Sequence, residues 1–161
     1  MDKELEEKSK YIEKILKDNK ISYEIYEHEP IFSYEVAEEV SKKLGFTGTE
    51  SKSLFLKSKS EKYYIYLTIQ GEKVDFKKLK EVLGEKVSIC QAEEMTKVIG
   101  CYPGCVSPFG HDKEITIIVD QKVFKQEKLI FSPGVPNKTI IVKVNELENI
   151  FDIVENEVVF M

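Results

Sequence analysis

The segment Gly100-Cys101-Tyr102-Pro103-Gly104-Cys105-Val106-Ser107-Pro108-Phe109-Gly110 constrains this chain more than any other. It packs three glycines and two prolines into eleven residues, just before an alternating apolar stretch. Glycine reaches positive φ and lets a neighbour or ligand approach the backbone. Proline fixes φ and removes a donor. Two readings are open at this point. The segment is a tight connection between two elements, since turns use the same residues. Or it is a shaped loop that presents backbone N–H groups, because few of its side chains could do acid–base chemistry.

The surrounding pattern alternates helical and strand periodicity without a regular βαβ repeat. Residues 3–19 predict an amphipathic helix with Leu5, Ile12, Ile15 and Leu16 on one face. Ile21 to Tyr26 alternates as a strand that Glu29-Pro30 breaks. Ser33 is placed to cap a helix through Leu44, with Val36, Ala37, Val40 and Leu44 inward and Gly45 as its stop. A short apolar strand, Ser53 to Leu56, and a longer one, Tyr63 to Ile69, predict a hairpin turning through Lys57 to Lys62. Asp75 is placed to cap a helix with Phe76, Leu79, Val82 and Leu83 inward, and Gly84 to stop it. Val87 to Cys90 predicts a strand and Ala92 to Val98 a helix that leads into the opening segment. Strands follow at Glu114 to Val119, Lys128 to Phe131 and Thr139 to Val144. The last two are separated by a second constrained turn, Ser132-Pro133-Gly134-Val135-Pro136-Asn137. A helix through Leu147 and Ile150 and a strand near Val154 to Phe160 come last. The expected class is α+β with a mixed sheet, in one domain spanning residues 1–161.

Charge narrows the partners. The 161 residues carry a formal net charge of −5, and all 24 basic residues are lysines. That argues against a nonspecific nucleic-acid coat and against DNA as a partner. A local lysine patch could still meet a nucleic acid, but no arginine fork is present to clamp a phosphate. No apolar run approaches the roughly 18 residues of a membrane span, and the charged start of the chain lacks a signal-peptide core. A cytoplasmic location without a membrane partner is expected. Three cysteines, Cys90, Cys101 and Cys105, make no even disulfide framework.

Three kinds of chemistry can be tried on the residues. Cys101, Cys105 and His111 have spacings compatible with zinc, but a fourth ligand is missing, so no metal is expected. A Cys–His nucleophile would need a thiolate, a base and an orienting group, and the spacings signal no such set. The glycines precede a strand rather than a helix and match neither phosphate-binding fingerprint. Lys52 stands at the mouth of an apolar strand, either as a flanking lysine or as an ammonium that meets an anion at the sheet end.

Five segments in order resemble one family. They are Tyr26-Glu27-His28-Glu29-Pro30, Lys52-Ser53-Leu54-Phe55-Leu56, the G-x-x-x-P loop Gly104-Cys105-Val106-Ser107-Pro108, the strand-ending Asp120, and the turn Phe131-Ser132-Pro133-Gly134. Together they resemble the YbaK/ProX group of aminoacyl-tRNA deacylases, related to the editing domain inserted in bacterial prolyl-tRNA synthetases, over roughly residues 5–155. The resemblance implies a mixed, mostly antiparallel curved sheet flanked by helices. It implies a trans-editing hydrolase that cleaves the ester of a mischarged amino acid at the 3′ end of tRNA, with no cofactor and with a synthetase as a possible docking partner. Backbone groups of Gly104, Cys105, Val106, Ser107 and Pro108 would hold the ester and the attacking water, which a ribose hydroxyl of the substrate helps to activate. Lys52 would anchor the 3′ end. Tyr26, Phe32, Ser53 and Ser132 would line the amino-acid pocket, with His28, Gly134 and Thr139 also on the substrate.

The late turn departs from the family's branches. Alanine-specific members carry a histidine where Ser132 stands, and the cysteine-specific branch continues with a basic glycine-rich run that Val135-Pro136-Asn137-Lys138 lacks. The branch acting on seryl- and threonyl-tRNA has a loop like Gly100 to Pro108. Alanine, serine, threonine and cysteine therefore stay open as substrates. A binding module of the same fold, without hydrolysis, is the alternative.

Overall fold

The computed structural model describes residues 3–161. In chain order the described elements are α1 (Lys3–Asp18), β1 (Tyr23–Glu27), α2 (Tyr34–Leu44), β2 (Thr49–Ser58) and β3 (Tyr63–Ile69). Then come α3 (Phe76–Leu83), β4 (Val87–Ile89), α4 (Ala92–Ile99) and β5 (Thr116–Val119). A 3₁₀ turn (Gln121–Lys125) precedes β6 (Lys128–Phe131), β7 (Lys138–Lys143), α5 (Val144–Ile153) and β8 (Val158–Phe160). The class is α+β, as the alternating pattern predicts.

Cap chemistry sets several boundaries. The Ser33 hydroxyl accepts from Val36 N–H and opens α2, and the Asp75 carboxylate accepts from Lys78 N–H and opens α3. Gly45, Gly84 and Gly100 close their helices in the left-handed region, which a Cβ would resist.

Eight strands form one mixed sheet in the order β1-β7-β6-β2-β3-β5-β8, with β4 joined to β2. Four pairings are antiparallel, β1 with β7, β6 with β7, and β2 with both β3 and β4. Three are parallel, β2 with β6, β3 with β5, and β5 with β8. β3 is the buried centre. Its Ile65 and Leu67 join the main core with Ile12 and Leu16 of α1, while Tyr64 and Tyr66 pack with Leu79 of α3 on the other face. Apolar burial on both faces is the dominant stabilising contribution here.

β2 departs from expectation and positions everything that follows. The Ser53 to Leu56 strand is the middle of a ten-residue strand that begins at Thr49 and includes Lys57 and Ser58. One edge pairs with β3 from Ser51 to Lys57. The other edge is shared: Thr49 and Glu50 pair with β6, and Leu56 to Ser58 pair with β4. Neither register covers Ser51 to Phe55, although the Phe55 carbonyl takes Cys90 N–H at 2.9 Å. The sheet is notched there. Three predicted inward residues also turn out exposed, Leu44, Phe76 and Val82. Leu44 and Val82 sit in the last turns of α2 and α3, and Phe76 is the first residue of α3.

Candidate active site

A cavity of about 400 Å³ opens at the notch in β2. Its walls come from Glu50 to Leu54 of β2, the segment Ile31 to Tyr34 before and into α2, the loop residues Pro103 to Val106, and the region from Ile130 of β6 to Thr139 of β7. Successive strand residues face opposite sides, so Glu50, Lys52 and Leu54 reach it from one side of β2 and Ser51 and Ser53 from the other. The Gly100 to Gly110 segment and the second constrained turn thus face one space.

Local chemistry shapes the loop wall. Cys105 N–H donates to the Tyr102 carbonyl at 2.8 Å, closing a four-residue turn with Pro103 second and Gly104 third, at φ +83°. That is the position where a type II turn requires positive φ. Tyr102 N–H donates to the Gly134 carbonyl at 2.8 Å, which ties the loop to the second turn. Ser107 N–H points at the Cys101 thiol, and Pro108 has no N–H. Among the described residues, the amides of Gly104 and Val106 are left without an intrachain acceptor, and both residues line the cavity. Two uncommitted donors on a rigid turn are what a developing oxyanion would need.

The loop is fastened from behind by α1. Lys8 Nζ donates to the Gly110 carbonyl at 2.5 Å and to His111 Nδ1 at 3.1 Å. His111 Nε2–H then donates to the Ser107 carbonyl at 2.8 Å, and the Ser107 hydroxyl donates to the Phe109 carbonyl at 3.1 Å. Burial and the Lys8 charge lower the His111 pKa to about 3, so the ring is neutral. Gly110 lets α1 approach, because a Cβ there would lie 2.8 Å from Ile12 Cγ1.

The predicted site residues divide. Lys52, Ser53, Gly104, Cys105, Val106, Phe32, Ser132 and Thr139 all line the cavity. Lys52 Nζ reaches the Glu72 carbonyl at 3.3 Å, and the buried Ser53 hydroxyl has no partner. Ser132 donates to the Val135 carbonyl at 2.9 Å, and Gly134 N–H donates to its oxygen at 3.2 Å. Five others stand behind or beside the walls. Ser107, Pro108 and Gly134 are buried in support of the loops. His28 gives its Nδ1 proton to the Glu29 carbonyl and takes the Thr139 hydroxyl at 2.7 Å, so it holds a lining residue. Tyr26 is not itself a lining residue; its ring packs tilted against Phe46 with centroids 4.7 Å apart, and its hydroxyl donates to Glu24. Its register partner across β1 and β7 is the lining residue Thr139, so Tyr26 shares that face of the sheet and packs beside Ile130 and Ile31 at the edge of the cavity. Asp120 caps the 3₁₀ turn and takes the Thr68 hydroxyl, also outside the lining.

The thiols do not suit nucleophilic work. Burial pushes Cys105 up to about 11 and raises Cys101, and both ring nitrogens of His111 are occupied by groups other than sulfur. No group of three or more His, Cys, Asp or Glu side chains suited to a metal occurs among the described residues.

Several lining residues were not assigned to the site by the sequence reading, Tyr34 and Glu50 among them. Tyr34 follows the α2 cap. Glu50 opens β2, where burial alone raises its carboxyl to about 7.

Comparison with known proteins adds four findings. The sequence pattern of the aminoacyl-tRNA editing domain matches residues 28–150. The chain is 26% identical over 141 residues to the prolyl-tRNA editing protein ProX of Acetoanaerobium sticklandii, covering 84% of this chain and 85% of that one. It is 32% identical over 89 residues to a proline–tRNA ligase of Bacillus licheniformis, 55% of this chain but only 16% of the ligase. The crystal structure of hypothetical protein APE2540 superposes with a TM-score of 0.78 at 18% identity, covering 93% of this chain and 97% of that one. This last likeness speaks to the fold.

Proposed function

Since the chain belongs to the aminoacyl-tRNA editing domain family, we propose that it is a trans-editing deacylase that hydrolyses the ester of a small amino acid at the tRNA 3′ end. The observation that carries this reading is the pair of uncommitted amides, Gly104 and Val106, on the wall of a cavity that also holds Lys52.

Water attacks the ester carbonyl carbon, assisted by the neighbouring ribose hydroxyl of the substrate. The carbonyl oxygen becomes an oxyanion and takes the two N–H groups. Collapse breaks the bond to the ribose oxygen, which leaves with a proton, and the free amino acid departs. Fixed donors aimed at that oxygen can be worth roughly 3–4 kcal/mol of barrier each. The Lys52 ammonium holds the 3′ end by a phosphate or the ester, and the buried Ser53 hydroxyl, Ser132 and Phe32 bound the amino acid. The substrate is one of alanyl, seryl, threonyl or cysteinyl esters, with tRNA for proline as the leading carrier, as the ProX relative's name suggests. Editing of this kind is needed because a synthetase pocket separates side chains differing by one small group only weakly.

The test is a panel of mischarged tRNAs bearing these four amino acids. Release of at least one amino acid, lost in Lys52→Ala with the fold retained, supports the reading. No release above background from any member would overturn it in favour of a binding module.

A further inference from the structure

We propose that the Glu50 carboxylate receives the α-ammonium of the aminoacyl ester and thereby selects substrates with a free amine; this rests on the deacylase reading above. Glu50 is the only acidic residue among the described residues that line the cavity. It shares a side of β2 with Lys52, and its register partner across the parallel pairing is Ile130, which also lines the cavity. Tyr34 faces it from α2, close enough for the carboxylate to raise the phenol's pKa.

Its carboxyl is unusual in lacking company. Glu72 is paired with Lys122, and Glu13 and Glu27 with Lys138, whereas no hydrogen bond or ion pair engages the Glu50 side chain. Burial without a neutralising partner explains a carboxyl raised to about 7. A desolvated carboxylate is costly until a cation meets it. The cavity's own cations, Lys52 and Lys138, leave it unpaired. The proposed substrate carries an ammonium on the carbon next to the ester carbonyl. Seating that ammonium supplies the missing partner and returns Glu50 to its ionised form.

The consequence is a specificity the loop amides cannot give. Backbone donors treat any ester alike, but a desolvated carboxylate favours esters with a charged amine. Esters whose amine is acylated, as in peptidyl-tRNA, would leave the carboxyl unpaired and be spared.

The experiment compares wild type with Glu50→Gln and Glu50→Asp. The substrates are the fastest aminoacyl-tRNA of the panel and its α-deamino analogue, the same ester with hydrogen in place of the ammonium. Wild type should prefer the amine-bearing ester by about tenfold or more in kcat/KM, the scale of one charge-assisted hydrogen bond. Glu50→Gln should lose that preference and Glu50→Asp recover part of it. The KM of wild type, rather than its kcat, should rise several-fold between pH 7.5 and 6, where the free carboxyl takes up its proton. Glu50→Gln should lack this rise. The other ionisable groups around the cavity, Tyr34, Lys52, Lys138 and His28 behind Thr139, and the substrate's own amine, which titrates near neutral pH, are the same in both proteins, so the difference between the two profiles belongs to Glu50. Equal preference and equal profiles in wild type and Glu50→Gln would overturn the proposal while leaving deacylation intact. Absence of turnover by wild type on every ester would instead overturn the deacylase reading, and this inference with it.

Discussion

Two proline–glycine turns wall the same cavity and are built for opposite purposes. In the first, Tyr102 to Cys105, Gly104 is exposed and a Cβ placed on it would meet no atom within 4 Å. In the second, Ser132 to Val135, Gly134 is buried, and a Cβ there would lie 3.0 Å from Lys8 Cγ and 3.3 Å from Cys101 Sγ. Both glycines have positive φ, +83° and +100°. The same dipeptide therefore serves presentation in one place and close packing in the other. The Tyr102 N–H bond to Gly134 O joins them, so the packed turn holds the presented one.

The largest effect on stability should come from breaking the packed turn. Gly134→Ala adds overpacking against Lys8 and Cys101 to a strained left-handed backbone. A loss of about 2–4 kcal/mol is expected, read as a lowered urea midpoint. Activity should fall with it, because the first turn loses its support. A neutral Gly134→Ala would show that the second turn does not need its close contacts.

Next comes the fastening that both turns share. Lys8→Met keeps the stem that packs by Gly134 but removes the donor to Gly110 O and His111 Nδ1. Leaving these acceptors unsatisfied should cost about 2 kcal/mol. The variant carries its own signature. Burial, the larger cause of the lowered His111 pKa, remains, but loss of the Lys8 charge should raise that pKa above about 3. With two histidines in the chain, an NMR titration resolves this directly.

Acid tests the same fastening more gently. His111 titrates near 3 in the folded chain, below its ordinary 6.5, so the unfolded chain takes the proton first. Stability from this group is present above pH 6.5 and declines as pH falls toward 3, by at most about 1.4 kcal/mol per unit. Glu50 acts in the opposite sense. Its folded value near 7 lies above the ordinary 4.5, so the folded chain takes that proton first and gains stability as pH falls from 7 to 4.5. The two oppose each other between pH 6.5 and 4.5. Glu50→Gln should therefore steepen the acid loss in that window relative to wild type, measured as urea midpoints against pH. Parallel curves would mean that Glu50 is not desolvated in the folded chain.

The difference between the turns also explains what the sequence could disclose. Caps are local chemistry, so Ser33, Asp75, Gly45 and Gly84 announced their helices. The G-x-x-x-P loop and Lys52 were legible as a resemblance and as a backbone too constrained for an ordinary connection. β2 was shortened because its first residues, Thr49 to Lys52, are polar and show no burial period, and Glu50 to Lys52 line a cavity. Lys8 looked like part of the solvated face of α1, because the groups it meets lie 102 and 103 positions away. Glu50 was invisible for the same reason. Its desolvation is made by elements remote in sequence, and a single glutamate at a strand start carries no local mark.

The smallest effect on stability belongs to the presented turn, and it is the one that decides what that turn is for. Gly104→Ala meets no steric obstacle, so only the left-handed backbone objects, at roughly 1 kcal/mol. The chain should stay folded. The new methyl group, however, stands on the open side of a turn that lines the cavity, and any relaxation of φ re-aims the Gly104 and Val106 amides. Losing one well-aimed donor lowers kcat by roughly 10²–10³-fold in comparable sites. The expected result is a variant with nearly wild-type urea midpoint and a kcat reduced by at least about tenfold, with KM little changed, since the donors act on charge that exists only in the transition state. A rise in KM at constant kcat would make the turn a binding surface instead. Wild-type kinetics at wild-type stability would reduce it to a connection, the alternative that its composition alone left standing.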